Sequence, residues 1–259
     1  MTIAANTIAQ SYANKRMGWA TKLDEVGSTA KEVLGVIRED QHPVFGPRKF
    51  QYVCFYQASG ATVGQLQSYV DPVSVANIAS GTTTVITTTG LTAGIYDGGL
   101  LVCIDDAGGS GAAPEGESGV IVENTTTTIT IATADAFSVA PAVNDDFNVL
   151  LPWAVDDSAN GDMAHQVAGV VMGSPDQYDY GWVQFFGINP NTKAIAAGTA
   201  LVVNELVVAD TATVTDGAGD ADNLSVGVLK VGLTSDTVAR NAVVDLFCGQ
   251  ALKLGTSTA

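Results

Sequence analysis

The side chains able to do chemistry are few in this 259-residue chain, and their spacing does not bring them together. There are two histidines, His42 and His165. The first lies in a turn-like stretch and the second opens a strand-like run, so the commonest general base is almost absent. No Gly-x-Ser-x-Gly elbow accompanies His165, and a nucleophile–base pair is not expected. Adjacent carboxylates occur at Asp105-Asp106, Asp145-Asp146 and Asp156-Asp157. Successive residues of a strand point to opposite faces, so such pairs do not converge on a substrate. The glycine-rich piece Gly108–Gly119 lacks the Gly-Lys-Ser/Thr ending of a phosphate cradle and reads as an exposed loop. Asp216, Asp220 and Asp222 read as a solvated acidic turn, with a loosely held Ca²⁺ as the alternative. Cys54, Cys103 and Cys248 are far apart, odd in number and form no Cys-x-x-Cys pair. They are read as small apolar residues inside strands, in a reducing compartment. The aromatic runs Phe50–Tyr56 and Tyr180–Phe186 suit core packing better than a stacking platform. The sequence therefore predicts no enzyme, no cofactor and no metal site.

The elements that would carry a surface function are short strands. Tyr180-Gly181-Trp182-Val183-Gln184-Phe185-Phe186-Gly187 is the strongest strand signal, with Val167–Gly173 before it and Ala197–Val203 after it. Phe50–Tyr56 is a further clear strand. Val73–Ile78, Thr83–Thr88, Leu100–Asp105, Gly119–Glu123, Thr127–Ala132 and Phe147–Leu151 alternate with Gly, Thr and Asp turns, and Leu224–Gly232 and Asn241–Phe247 follow later. Thr29–Glu32 has capping-box spacing, which leaves a short helix or a strand through Leu34–Arg38 open. Turns are expected at Glu39–Pro43 and at Gly46-Pro47. The fold class is all-β, in two small β-barrel or sandwich units with an extended N-terminal arm. The expected division is 1–49 for the arm and first β segment, 50–157 for a Thr/Gly-rich β domain, and 158–259 for a C-terminal barrel-like domain. Trp153–Asp162 is read as the link between the last two.

Charge is distributed unevenly. The formal net charge is −16 with a pI near 4.1, and only 15% of residues are charged. This balance argues against direct nucleic-acid binding and against an anionic membrane surface. Residues 1–49 hold seven basic and five acidic residues, a net of +2, whereas the remainder holds four basic and twenty-two acidic ones, a net of −18. A neutral-to-basic leader on an acidic body suggests either an arm that docks on something else or simple variation of charge along the chain. Trp19 either anchors such an arm in a partner pocket or folds back onto its own domain. No basic-then-apolar leader opens the sequence, and no run is long enough to span a bilayer as a helix.

The run Val167–Gly173, then Tyr180-Gly181-Trp182-Val183-Gln184, Gly187, and Ala197-Gly198-Thr199-Ala200-Leu201 resembles the capsid decoration (cement) proteins of tailed bacteriophages. The pieces Gly90–Gly94, Gly98–Leu101 and the Thr-rich strand after Asn124 share that style, so the likeness extends over about residues 34–249. The resemblance implies a structural virion protein on the outer capsid surface. It would clamp neighbouring major capsid protein subunits against internal DNA pressure and sit there as a homo-oligomer, dimer or trimer. Lys15, Arg16, Trp19, Lys22, Arg48 and Lys49 are the expected capsid contacts. A head- or tail-associated fibre or receptor-binding protein that contacts host glycans is the alternative, although no fibrous or heptad repeat supports it.

Overall fold

A computed structural model describes residues 19–105, 113–156, 167–196, 206–210, 213–216, 225–231 and 236–248. Apart from one 3-10 turn at Thr133–Asp135, its regular elements are strands. In chain order they are β1 (Ile37–His42), β2 (Gly46–Phe55), β3 (Leu66–Tyr69), β4 (Val73–Val75), β5 (Ser80–Gly81), β6 (Val85–Thr87), β7 (Leu100–Asp105), β8 (Ser118–Asn124) and β9 (Thr128–Ile131). They continue as β10 (Asp146–Leu150), β11 (Ala154–Asp156), β12 (Val167–Val171), β13 (Tyr180–Ala196), β14 (Leu206–Asp210), β15 (Thr213–Asp216), β16 (Ser225–Leu229) and β17 (Asp236–Phe247). The all-β class follows from the composition. Thr, Val and Ile alternate over short runs, and their branched side chains fit a pleated surface.

The chain forms two compact units. One combines residues 1–69 with 153–259, and the other is Val70–Pro152, inserted between β3 and β11. The inserted unit is a seven-stranded sheet in the order β4-β10-β7-β8-β9-β6-β5. Its inward face holds Leu101, Cys103, Ile121, Ile129, Phe147 and Val149, all buried.

The larger unit is a ten-stranded sheet in the order β1-β2-β11-β3-β12-β13-β15-β14-β16-β17. Additional pairings β2–β13 and β13–β17 fold this sheet back on itself twice. β1 is left as an edge strand, so the sheet is not a closed barrel; of the expected two β-barrel or sandwich units, the all-β class and the two sheets are seen. The long β13 holds the unit together. Its first half pairs antiparallel with β2, Tyr180 opposite Cys54 through Phe186 opposite Lys49. Its second half pairs with β17, Phe186 opposite Phe247 through Ala196 opposite Asp236. Pro190, which cannot donate to a ladder, falls where the register slips between Asn189 and Thr192.

Several sequence expectations need correction. The expected boundary 49/50 falls inside β2, the inserted unit runs from Val70 to Pro152, and Trp153–Asp156 is not a linker, while 157/158 lies outside the described residues. Ala154 and Val155 instead pair in parallel with Cys54 and Phe55, so the apolar Ala-Val pair is a buried strand. Phe50–Tyr56 belongs with Tyr180–Phe186 and not with the Thr-rich strands. No helix forms at Thr29–Arg38. The turn expected at Glu39–Pro43 lies at Pro43–Phe45, because the polar residues Glu39–His42 extend β1, and Gly46-Pro47 opens β2. Gly187 does not close a strand but sits within one. The strand at Ala197–Val203, the acidic turn ending at Asp222, His165 and most of the loop after Asp105 lie outside the described residues.

Candidate interaction surface

The basic N-terminal region can be followed from Trp19, and its chemistry begins with a buried cation. β1 reads Ile37-Arg38-Glu39-Asp40-Gln41-His42, and its alternation puts Arg38, Asp40 and His42 inward and Ile37, Glu39 and Gln41 outward. Arg38 is only 1% exposed. Its guanidinium carbon lies 5.8 Å from the ring centroids of both Trp19 and Trp182. The two indoles meet edge to face at 5.5 Å, and Tyr52 packs on Trp182 at 5.1 Å. Such stacking suits the weakly hydrated, planar guanidinium. Burial is the main force pushing Arg38 below its ordinary pKa, and Asp40 and Glu32 oppose it.

Hydrogen bonds fix the preceding chain to this cluster. Trp182 Nε1 donates to Thr21 Oγ1 at 2.9 Å, and Arg38 donates to the Thr21 carbonyl at 3.1 Å. The backbone N–H groups of Ala20 and Thr21 donate to one oxygen of Glu32, at 2.7 and 3.0 Å. Leu23 is buried beside Trp182, and Gly27 makes a two-way backbone bridge with Tyr180. Residues 19–36 are therefore a strap bound onto β2 and β13, not the extended arm expected from sequence. Thr21→Val would remove the acceptor of a buried indole N–H. The expected loss is about 1–3 kcal/mol in chemical denaturation, largely restored by Thr21→Ser.

The expected contact residues separate into three groups. Lys15 and Arg16 lie outside the described residues. Trp19 packs on its own core, the second of the two expected arrangements, and so is corrected as an outward anchor. Arg48 is likewise no outward contact: it is 8% exposed, ion-paired to Asp40 across the β1–β2 ladder, and stacked 5.2 Å over Phe50. Lys49 lies on the other face of β2, where it pairs with Glu39 at 2.9 Å. Lys31 pairs with Glu25 at 2.6 Å. Lys22 is exposed. Between residues 19 and 49 five basic residues are balanced by five acidic ones, so the excess of +2 resides wholly in Lys15 and Arg16. Trp19 was visible in the sequence as an unusual residue. Arg38 was not, because a charged side chain facing inward on a strand leaves no periodic signal.

Below the hairpin lies a cavity of about 210 Å³, lined by Leu23, His42, Arg48, Met172, Asn189 and Asn191 among others. Typical small-molecule sites measure about 300–1,000 Å³. His42 is occupied structurally. Its Nδ1 accepts the N–H groups of Val44 and Phe45 at 3.1 and 3.2 Å, and its ring stacks on Phe45. Those bonds require a neutral ring. Burial, then the nearby Arg48, push the imidazole below its ordinary value, against Asp40. The sign follows directly. Neutral His42 contributes stability above the unfolded value of about 6.5, and the contribution fades as pH falls below it. The wild type is expected to lose more stability between pH 7 and pH 5.5 than His42→Asn does. Parallel denaturation curves at the two pH values check this.

The three cysteines are free thiols and buried. Burial pushes Cys54 and Cys248 up to about 12. Among the described residues no cluster of three or more His, Cys, Asp or Glu side chains is placed to hold a metal ion, and no helix is long and apolar enough to cross a membrane. Compared with protein-family models, with curated proteins and with solved structures, the chain matches none.

Proposed function

We propose that this chain is a structural virion protein of the tailed-phage capsid decoration kind, which binds the outer surface of the head and clamps neighbouring major capsid subunits. The observation that carries the reading is the rooted basic segment. Residues 1–18 contain Lys15 and Arg16 and no carboxylate, and the chain that follows is fastened at Trp19 and Thr21 to the β2–β13 core. Eighteen residues can reach about 60 Å when extended. A fixed root limits the freedom that a docking arm must lose, and many copies on one lattice add avidity. Lys15, Arg16 and Lys22 are the proposed contacts, while Trp19, Arg48 and Lys49 support the platform from which they act. The return pairings through β13 support a barrel-like form for the larger unit, and copies acting as dimers or trimers would match the symmetry of a head. Binding to the assembled lattice but not to free subunits stabilises the lattice by mass action.

The test is occupancy of purified, undecorated heads. Removing residues 1–18 leaves the Trp19–Arg38–Trp182 cluster intact, whereas a cut after residue 30 would also remove Trp19, Thr21 and Leu23 and confound binding with folding. A chain lacking 1–18 is expected to keep its melting temperature and lose at least nine-tenths of its occupancy at sub-saturating concentration. Full occupancy by the shortened chain would show that the arm does not anchor it.

A further inference from the structure

The inserted unit carries its own unexplained surface. Between Val70 and Pro152 there are ten Asp and Glu residues and no Lys or Arg. Within its sheet, Leu150, Leu100 and Val120 lie directly opposite one another on β10, β7 and β8, as do Asn148, Val102 and Ser118. Leu101, Cys103, Ile121, Phe147 and Val149 point into the core. The alternation therefore sends Leu100, Val102, Ile104, Val120, Val122 and Leu150 to the other face. Ile104, Val120, Val122 and Leu150 are 45%, 43%, 55% and 37% exposed. Single exposed aliphatics are ordinary, but six in adjoining positions across three strands form a continuous apolar strip of the kind that marks an interaction surface.

The end of the strip is anionic. A register shift beside Asp146 places it opposite Asp105 across the β7–β10 ladder, next to the aliphatic positions, and one Asp146 oxygen also accepts the Asn77 N–H at 2.7 Å. Like charges placed directly opposite are unfavourable on their own, and a cation brought between them would relieve the repulsion. The same charge decides among occupants. A second copy of the unit would bring another net charge of −10 against this one, with Asp105 and Asp146 of each face among it, and an anionic lipid surface would be repelled likewise. A cationic protein surface is complementary.

We propose that this strip is a second attachment point, which docks an aliphatic, Lys- or Arg-bearing surface segment of the shell subunit. Its aliphatic side chains cover Leu100, Val102, Ile104, Val120, Val122 and Leu150, and its cation reaches Asp105 and Asp146. The inference rests on the virion reading and extends it, because a clamp needs two points of attachment and the N-terminal arm provides one.

Titration of undecorated heads with the full-length chain and two variants tests it. Ile104→Lys/Val122→Lys removes apolar contact and repels a cation, and is expected to weaken binding at least tenfold. Asp105→Lys alters one exposed end of the strip, with little risk to folding. It is expected to weaken binding several-fold and to flatten its salt dependence. If the wild-type chain binds heads and both variants bind as it does, the docking face is overturned while the virion reading stands. If the wild-type chain fails to bind heads at all, the virion reading falls and the docking face with it. Should the double variant fail to fold, the result for Asp105→Lys decides.

Discussion

Trp182→Ala is expected to cost about 3–5 kcal/mol of stability, the range found for truncating a large buried aromatic. For a protein of this size that lowers the melting temperature by roughly 10 °C. Trp182 is fully buried, and four groups depend on it: Trp19 and Tyr52 pack edge to face on its ring, Arg38 lies over it, and Thr21 accepts from its indole N–H. The alanine variant would leave a cavity and a buried guanidinium with one aromatic face in place of two. The expected consequence extends to the strap, because Trp19 and Thr21 are held to the core through this ring. Limited proteolysis of the variant should therefore open the chain near Trp19–Leu23 before the β2–β13 ladder is cut. A variant that keeps the wild-type melting temperature but no longer binds heads would instead make Trp182 an interface residue and place the binding site on β13.

Residues that announced themselves in the sequence did so through local pattern. The run Leu100–Asp105 was legible to the residue, and Ser118–Asn124, Thr128–Ile131 and Asp146–Leu150 to within one or two, because branched residues alternate there between turn residues. The larger unit was harder to read for three physical reasons. Ala154–Asp156 is three residues long and lies between two other strands of its sheet, so it carries no alternation and resembles a linker. β1 is inverted: Ile37 is 53% exposed while Arg38 is buried, because the inward side is filled by Arg38, Asp40 and His42 and not by aliphatics. Pairing partners far apart in sequence cannot be read from either segment alone, which is why Phe50–Phe55 was separated from the β13 it adjoins. The basic N-terminal region was only half legible. Its excess charge was evident, but neutralisation of Lys31, Arg48 and Lys49 by Glu25, Asp40 and Glu39 depends on the strap and the β1–β2 register.

Gly187 is the position at which β13 leaves β2 for β17, and Gly187→Ala is expected to destabilise the fold by about 3–5 kcal/mol. Two effects add. Its φ of +84° lies in the left-handed region, where a residue with a Cβ costs about 1–3 kcal/mol. A Cβ built there would also stand 2.2 Å from the Pro47 carbonyl oxygen, backbone of β2 that cannot swing aside. The bend is braced from within the strand. The buried Gln184 amide donates to the carbonyls of Phe186 and Gly187 at 3.1 and 3.0 Å, and Asn189 donates to Gln184 at 3.1 Å. Relaxing the backbone at 187 would therefore break a satisfied polar network as well as the ladder. The two effects can be separated by substitution with asparagine, which tolerates positive φ better than alanine. At Gly46, with φ of +72° and no atom within 4 Å of an added Cβ, Gly46→Asn should cost well under Gly46→Ala. At Gly187 the carbonyl overlap remains whatever the side chain, so Gly187→Asn should be nearly as damaging as Gly187→Ala. Denaturation curves for the four variants decide it. Recovery of stability in Gly187→Asn would mean that conformational strain alone fixes this glycine and that β2 and β13 have room to separate. Equal losses would mean that the close approach of Pro47 to Gly187 sets the bend, and with it the point where one long strand serves two sets of neighbours.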